Sequence, residues 1–421
     1  MKYFKRLAEE QIGLALKAAG AVYIRGPKAC GKTETALKFA KSEINLQEDG
    51  RARFLASVEP AEVLLGEAPR LIDEWQEVAT IWNNVKTEVD RRKKKGQFIL
   101  AGSSVLADTA NLHSGAGRFL IIDMNTMTLS ELGLSNEKVR LQKLLEGGEI
   151  NATSGNLTLR KLAKQIVVGG WPENIGLDEK YATEMNKSYI DLLTSDDISR
   201  VASVKRDPAK AIKVLKSLAK NVATPVEIRT LAEDVDLNLI KEGELMVSRQ
   251  TASSYLDDFR KVMILREQPA FNIHIRSSAE LRKTPKRHLV DPSLAAAVLR
   301  LSSDVLFKDL NYFGFLFESL VFHDMSVYAS LNDASVSHYR DSYGNEVDII
   351  VEKGNGDFAA FEVKLGDKNL DEPARKLLDF AENVAMDKHK TLISLNIVTG
   401  IGNAYTRADG VNVLPLTTLG A

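Results

Sequence analysis

Two groups of residues in this 421-residue chain have types and spacing that could do chemistry. The first is Gly26-Pro27-Lys28-Ala29-Cys30-Gly31-Lys32-Thr33, which fits the pattern G-x-x-x-x-G-K-[ST]. An apolar run precedes it and a helical pattern from about Lys32 to Lys41 follows, the context that this phosphate-binding pattern requires. The glycines let backbone N–H groups close around phosphates at a helix N-terminus, Lys32 reaches the β- and γ-phosphates, and the Thr33 hydroxyl joins a magnesium shell. Gly26 through Glu34 is therefore the expected ATP-binding segment. Downstream, Leu71-Ile72-Asp73-Glu74 reads as a short strand ending in paired carboxylates. Asp73 is placed to hold magnesium, and Glu74 to act as the base or water-orienting group. The expected activity is ATP hydrolysis with ATP and Mg2+ as cofactors.

The second group lies near the C-terminus. Glu346 to Val351 and Phe358 to Lys364 read as strands joined by the turn Gly354-Asn355-Gly356-Asp357. With the turn centred on Asn355, Asp348 falls opposite Glu362, and Lys364 shares a strand face with Glu362. Glu318, on a helix expected over Phe313 to Met325, could complete the cluster. Carboxylates that hold magnesium beside a lysine that steadies the attacking water or the scissile phosphate would suit a metal-dependent nuclease. Alternating charged and apolar residues also describe any half-exposed hairpin.

Elements must position these groups. Ala21-Val22-Tyr23-Ile24, Leu71-Ile72, Phe98-Ile99-Leu100 and Phe119-Leu120-Ile121-Ile122 are the expected strands of an α/β unit with a parallel sheet. Residues 136–200 read as helical and polar, interrupted by Gly169-Gly170-Trp171-Pro172. Two helices, Thr224 to Val235 and Ser248 to Val262, are followed by short strands, an order similar to a winged helix. In the second helix Ala252, Tyr255, Leu256, Phe259, Val262 and Met263 share one face, and Arg249, Gln250, Ser253 and Ser254 the other. Residues 201–300 hold 18 basic and 12 acidic side chains. Arg282-Lys283-Thr284-Pro285-Lys286-Arg287 would lie on a wing. DNA is one partner such a unit could contact, and another protein is the alternative. The run Arg91 to Lys95 falls where a helix should end, and cations there complement the helix dipole.

The chain as a whole carries a net charge of −1, so any nucleic-acid surface must be local. The single cysteine excludes an internal disulfide and a cysteine-cluster metal site, and a reducing cytoplasmic home is the simplest reading. No window is apolar enough for a membrane span, and the N-terminus does not read as a signal peptide.

Gly26 to Thr33, Ile72-Asp73-Glu74-Trp75-Gln76, Ala101-Gly102-Ser103-Ser104 and Gly117-Arg118-Phe119 resemble the AAA-type ATPases of archaea and bacteria that carry a C-terminal domain of unknown function, over nearly the whole chain. That resemblance implies that Ser103 or Ser104 senses the γ-phosphate and that Arg118 is an arginine finger, with a surface arginine as the alternative. A finger acting in trans implies a homo-oligomer. Ala101 stands where the family more often has threonine, and Arg70 is unusual in a strand expected to be buried. Gly169-Gly170-Trp171-Pro172-Glu173 is similar to the glycine-x-proline motif of related signalling ATPases, which implies Pro172 near the adenine. Read from the residues alone, it is a turn with an aromatic anchor. Gly314, Phe317-Glu318, Glu346-Val347-Asp348 and Glu362-Val363-Lys364 are similar to the PD-(D/E)XK nuclease superfamily. The expected architecture is α/β: a P-loop AAA-type ATPase core at 1–135, a helical lid at 136–200, a winged-helix-like domain at 201–304 and a PD-(D/E)XK nuclease-like domain at 305–421.

Overall fold

In the computed structural model, which describes residues 3–103, 115–153, 157–202, 204–237, 247–272, 284–341, 344–384 and 390–421, five parallel strands form the N-terminal sheet. They are β1 (Ala21–Arg25), β2 (Ser42–Asn45), β3 (Arg70–Asp73), β4 (Phe98–Gly102) and β5 (Phe119–Asp123), in the order β2-β3-β4-β1-β5. β1, β3 and β4 are buried along nearly their whole length, which is why they read as unbroken apolar runs and not as alternating ones. The sequence missed β2, whose Ser-Glu-Ile-Asn has neither an apolar run nor a clean alternation. The order reverses beside β1, so the loop after Arg25 opens at the switch point of the sheet, where α/β folds bind ligands. The helix after that loop runs over Lys32–Leu37 and ends earlier than the apolar spacing suggested.

Arg70 is buried at the start of β3. Its Nε donates to Val63 O (2.8 Å) and its Nη1 to Ser42 Oγ (3.1 Å), so a cation in this strand is compatible with burial.

Residues 136–200 are not helical throughout. The two-residue strands β6 (Val139–Arg140) and β7 (Asn151–Ala152) precede the helices Leu159–Val168 and Glu179–Leu192, and a π-helical turn follows at Leu193–Asp197. The helices Pro208–Lys220, Ile228–Leu237 and Arg249–Lys261 then lead to a hairpin of β8 (Leu265–Gln268) and β9 (Lys286–Leu289). The face Ala252, Tyr255, Leu256 and Phe259 is buried, as its spacing required.

A 22-residue helix, Leu310–Leu331, precedes the second sheet. That sheet contains β10 (Ala334–Arg340), β11 (Glu346–Lys353), β12 (Asp357–Lys364), β13 (Thr391–Thr399), β14 (Ala404–Thr406) and β15 (Asn412–Pro415). Its order is β10-β11-β12-β13-β15-β14-β7, so its last strand comes from residues 151–152. β16 (Leu419–Gly420) pairs with β6. One buried apolar cluster runs from Leu129 through the helices between Leu159 and Lys261 to Leu419. The chain after the ATPase core therefore folds around a shared core. Among the described residues no helix is long and apolar enough to cross a membrane.

Candidate nucleotide site and the C-terminal carboxylate cluster

The loop between β1 and its helix is a cradle that excludes side chains. A Cβ on Gly26 would lie 2.1 Å from Met124 O, and Gly31 has φ +94°, a conformation natural only to glycine. A cavity of about 710 Å3 opens over the loop, lined by Lys28, Ala29, Gly31, Lys32, Thr33 and Glu34. Tyr3, Phe4, Met127 and Pro172 form its apolar side, and Gly31 lies against Pro172. Cys30 is fully buried with Sγ 3.7 Å from Met124 O, so only its backbone belongs to the loop's working surface.

Lys32 Nζ bonds back to Gly26 O (3.1 Å) and Pro27 O (2.8 Å). Thr33 Oγ1 donates to Asp73 Oδ2 at 2.9 Å, while Asp73 Oδ1 is buried without a partner. Burial pushes the Asp73 carboxyl up to about 6, against the Thr33 hydrogen bond. A hydroxyl beside an orphaned carboxylate oxygen at a phosphate loop is the donor set that a magnesium shell uses, so the residues fit that ion. Glu74 follows in a left-handed conformation, φ 48°, and Gln76 Nε2 donates to its Oε2. A non-glycine residue there stores backbone strain that the surroundings must hold.

A second cavity of about 580 Å3 shares Lys28, Gln47 and Glu74 with the first. Ser103, Gln76, Arg53, Tyr189, Asp197 and Arg200 also line it. Tyr189 Oη and Gln76 Oε1 are buried there without partners, two more polar atoms unsatisfied beside the loop. Lys28 Nζ holds Asp197 Oδ1 at 2.5 Å, tying the loop to the π-helical turn at Leu193–Asp197. The sequence did not point to Tyr189, Asp197 or Arg200, because nothing in the local pattern of these segments reports what they face.

Ser104 lies outside the described residues. Arg118 precedes Phe119, which pairs with Ala21 at the start of β1, whereas the phosphate loop follows the end of β1. Arg118 therefore sits at the opposite end of the sheet from its own loop, exposed, with Nε 2.9 Å from Asp90 Oδ1. The run at Arg91 ends a helix: Arg91 and Arg92 pair with Glu88, and Lys93 closes the turn.

Around the loop a buried polar chain leads into the C-terminal half. Arg6 donates from Nη1 to Cys30 O (2.6 Å) and from Nε to Glu131 Oε1 (3.0 Å). Glu131 Oε2 accepts from Thr128 N, and Leu129 N donates to Asp324 Oδ2 at 3.0 Å. His323 bridges Asp324 (2.8 Å) and Thr126 Oγ1 (3.0 Å). Asp291 Oδ2 accepts from Thr126 Oγ1 (2.7 Å) and from Gly170 N (2.8 Å), and Trp171 Nε1 donates to Ser293. Gly170-Trp171-Pro172 thus ties the cavity wall to the helix Pro292–Val298. His323 and Asp324 belong to the same helix as Glu318.

At that cluster the hairpin register is the expected one. Ile349 pairs with Phe361, which brings Asp348 to the position opposite Glu362. Asp348 Oδ2 accepts from Val363 N (2.9 Å), and Lys364 Nζ lies 3.1 Å from Glu362 Oε2. Glu318, on the helix, lies near the Asp348 side of this hairpin, and a cation from another strand meets both. Lys286 of β9 inserts its ammonium, 2.6 Å from Glu318 Oε1 and 3.2 Å from Asp348 Oδ1. Among the described residues no group of three or more His, Cys, Asp or Glu side chains is arranged to hold a metal ion. Burial, then Asp348, push Glu318 up to about 8. Burial and Asp348 also push Glu362 up to about 7, with Lys364 opposing them.

Lys286 and Arg287, expected on a wing-like hairpin, lie in the β8–β9 hairpin with their side chains turned into the protein. Lys286 and Arg287 are both buried; Arg287 bonds Glu267 Oε1 (3.1 Å) and Val226 O. Arg282 and Lys283 lie outside the described residues. Arg249 and Gln250, at the start of the preceding helix, remain exposed.

Residues 18–133 match the AAA domain family. Residues 159–305 match a domain of unknown function (DUF8612), and residues 313–419 another (DUF4143). A search of the curated proteins finds no match. Among solved structures, the Walker-type ATPase PABY2304 of Pyrococcus abyssi is 12% identical, with a TM-score of 0.42, over 70% of this chain and 96% of that one. The Aeropyrum pernix ORC1 protein in complex with DNA is 13% identical, with a TM-score of 0.27, over 73% and 95%. Cdc6p from Pyrobaculum aerophilum is 13% identical, with a TM-score of 0.21, over 74% and 97%. At such scores these likenesses carry no functional argument. The family match and the loop make the N-terminal region an ATP-binding, AAA-type P-loop domain.

Proposed function

We propose that this protein is an ATP-hydrolysing switch whose nucleotide state is passed to a nuclease-like C-terminal unit, with units at 1–135, 136–200, 201–304 and 305–421. The observation that carries the reading is the cavity over the P-loop, where Thr33 meets an Asp73 whose Oδ1 has no partner. Amides of Gly26 through Glu34 would surround the phosphates, and Lys32 would leave the Gly26 and Pro27 carbonyls for the γ-phosphate. Thr33 and Asp73 would hold Mg2+, which supplies charge neutralisation when bound. Glu74, restrained by Gln76, would take the proton of the attacking water, with Ser103 beside it. Pro172 would bound the adenine side with Tyr3 and Phe4. Arg118 can act only on a neighbouring copy, in a homo-oligomer. Lys28 would exchange Asp197 for phosphate, releasing the lid from the loop.

Two measurements test the switch: Mg2+-dependent ATP turnover, and hydrogen exchange of the helix Leu310–Leu331 with ATP and with ADP. No turnover would remove the ATPase reading. Turnover with identical exchange in both states would remove the coupling.

A second reading, an ATP-gated DNA- or protein-binding regulator with an inert nuclease-like fold, is favoured by Lys286 between Glu318 and Asp348. DNA contact would then run through Arg249 and Gln250 on the exposed end of their helix. Plasmid nicking in Mg2+, with and without ATP, separates the two: nicking lost in Asp348→Asn supports the nuclease, and inert wild-type protein supports the regulator.

A further inference from the structure

Lys286 reaches the carboxylate cluster from a different part of the chain. It lies on β9, in the segment 159–305, while Glu318, Asp348 and Glu362 belong to 313–419. The hairpin that carries it is fastened on several sides. Gln268, paired with Lys286 across the hairpin, donates to Ser337 O (2.9 Å) and Asp348 O (2.8 Å). Its Oε1 contacts His288 Nε2 (3.1 Å), while His288 Nδ1 meets Ser319 Oγ (3.2 Å) and the ring stacks on Phe322. Beyond β8, Phe271 N donates to His338 O and Pro269 O accepts from His338 N, so the strand continues onto the edge of β10.

The ammonium is 4% exposed and stands between two carboxylates that a divalent ion would have to bridge. Both oxygens of Asp348 are engaged, Oδ1 by Lys286 and Oδ2 by Val363 N. A divalent ion needs several oxygen ligands at about 2.0–2.6 Å and cannot share that space with a cation. Carboxylates without metal would repel one another, and here an ammonium supplies the opposing charge.

We infer that Lys286 is the resident cation of this cluster: an ammonium from the β8–β9 hairpin takes the place of a divalent ion, so the docked hairpin closes the C-terminal site to metal. The inference rests on the nuclease-like reading of the C-terminal sheet, and its readout is metal binding, whereas nicking tests that reading. Mn2+ is titrated calorimetrically, without nucleotide, into the full chain as wild type, Asp348→Asn, Lys286→Gln and Lys286→Gln/Asp348→Asn. Glutamine keeps much of the lysine's length and a hydrogen-bond donor while removing the charge. Wild type and Asp348→Asn should give the same heats. Lys286→Gln should acquire one Mn2+ site at least about tenfold tighter than any in wild type, and the double variant should lose it. Mn2+ binding by wild type that Asp348→Asn abolishes would overturn the inference, as would a folded Lys286→Gln that gains no site. Should Lys286→Gln fail to fold, the comparison of wild type with Asp348→Asn still decides: heats reduced by Asp348→Asn overturn the inference, and equal heats support it.

Discussion

The P-loop site and the C-terminal cluster contain the same materials, lysines and carboxylates, and differ in what has been left unsatisfied. At the P-loop, Asp73 Oδ1 has no partner and Lys32 rests on two backbone carbonyls that it can leave. At the C-terminal cluster, Asp348 has both oxygens engaged and Lys286 is buried against two carboxylates. The first arrangement is ready for an external ion and an anion; the second supplies its own cation. Residue types alone do not distinguish such sites, because the distinction lies in whether the neighbouring fold brings a counter-charge. A buried polar atom without a partner costs about 1–3 kcal/mol, so an orphaned carboxylate oxygen over a cavity points to a ligand that satisfies it.

That contrast can be broken or sharpened by substitution. The largest effect is expected from Lys32→Ala, which should lower ATP turnover by at least about 10³-fold, ~4 kcal/mol, because the loop amides alone leave the γ-phosphate charge uncompensated. Parental turnover in that variant would end the P-loop half of the comparison. Lys286→Gln should leave two buried carboxylates without their cation and lower unfolding stability by about 3 kcal/mol. Chemical denaturation checks this, and a change within about 0.5 kcal/mol would mark Lys286 as a bystander.

Glu74→Gln should keep ATP bound while slowing hydrolysis by about 10²-fold. The measurement is single-turnover hydrolysis beside an equilibrium binding assay, and loss of binding instead would make Glu74 structural. Thr126→Val removes the hydroxyl shared by Asp291 and His323. It should cost about 1–3 kcal/mol of stability. If the polar chain carries the nucleotide signal, it should also shrink the ATP-dependent change in exchange of the helix Leu310–Leu331; an unaltered difference would separate the two regions.

The smallest effect is one of pH. Burial raises the Asp73 carboxyl to about 6 in the ligand-free fold, above its usual 3.8. A raised carboxyl contributes stability below the unfolded value and loses it as pH rises through the folded one, so this group favours the ligand-free fold most at low pH. Magnesium needs the ionised form. Mg2+-ATP affinity should therefore weaken below about pH 6, approaching tenfold per unit. Asp73→Asn should flatten that slope, and an unchanged slope would place the titrating group elsewhere.

The linear chain already determined the phosphate loop, since spacing, glycines and flanking strand and helix are local properties that need only a few neighbouring residues. It determined the Asp348 to Glu362 register for a similar reason: a turn centred on Asn355 sets which residues pair on either side. Strands buried on both faces were legible as apolar runs, whereas β2 and the two-residue strands β6 and β7 were not, because such short pieces carry too little pattern. Only the tertiary structure decided what surrounds each site. Lys286 read only as part of a run on a wing-like hairpin, and it was the docking of that hairpin that carried it between Glu318 and Asp348. Arg6 reaches Cys30 O and Glu131, and Tyr189 reaches the cavity beside the loop, through packing alone. Local composition sets which elements form; the burial of charge, and hence which carboxylate is free for a ligand, depends on residues that meet only when the chain has folded.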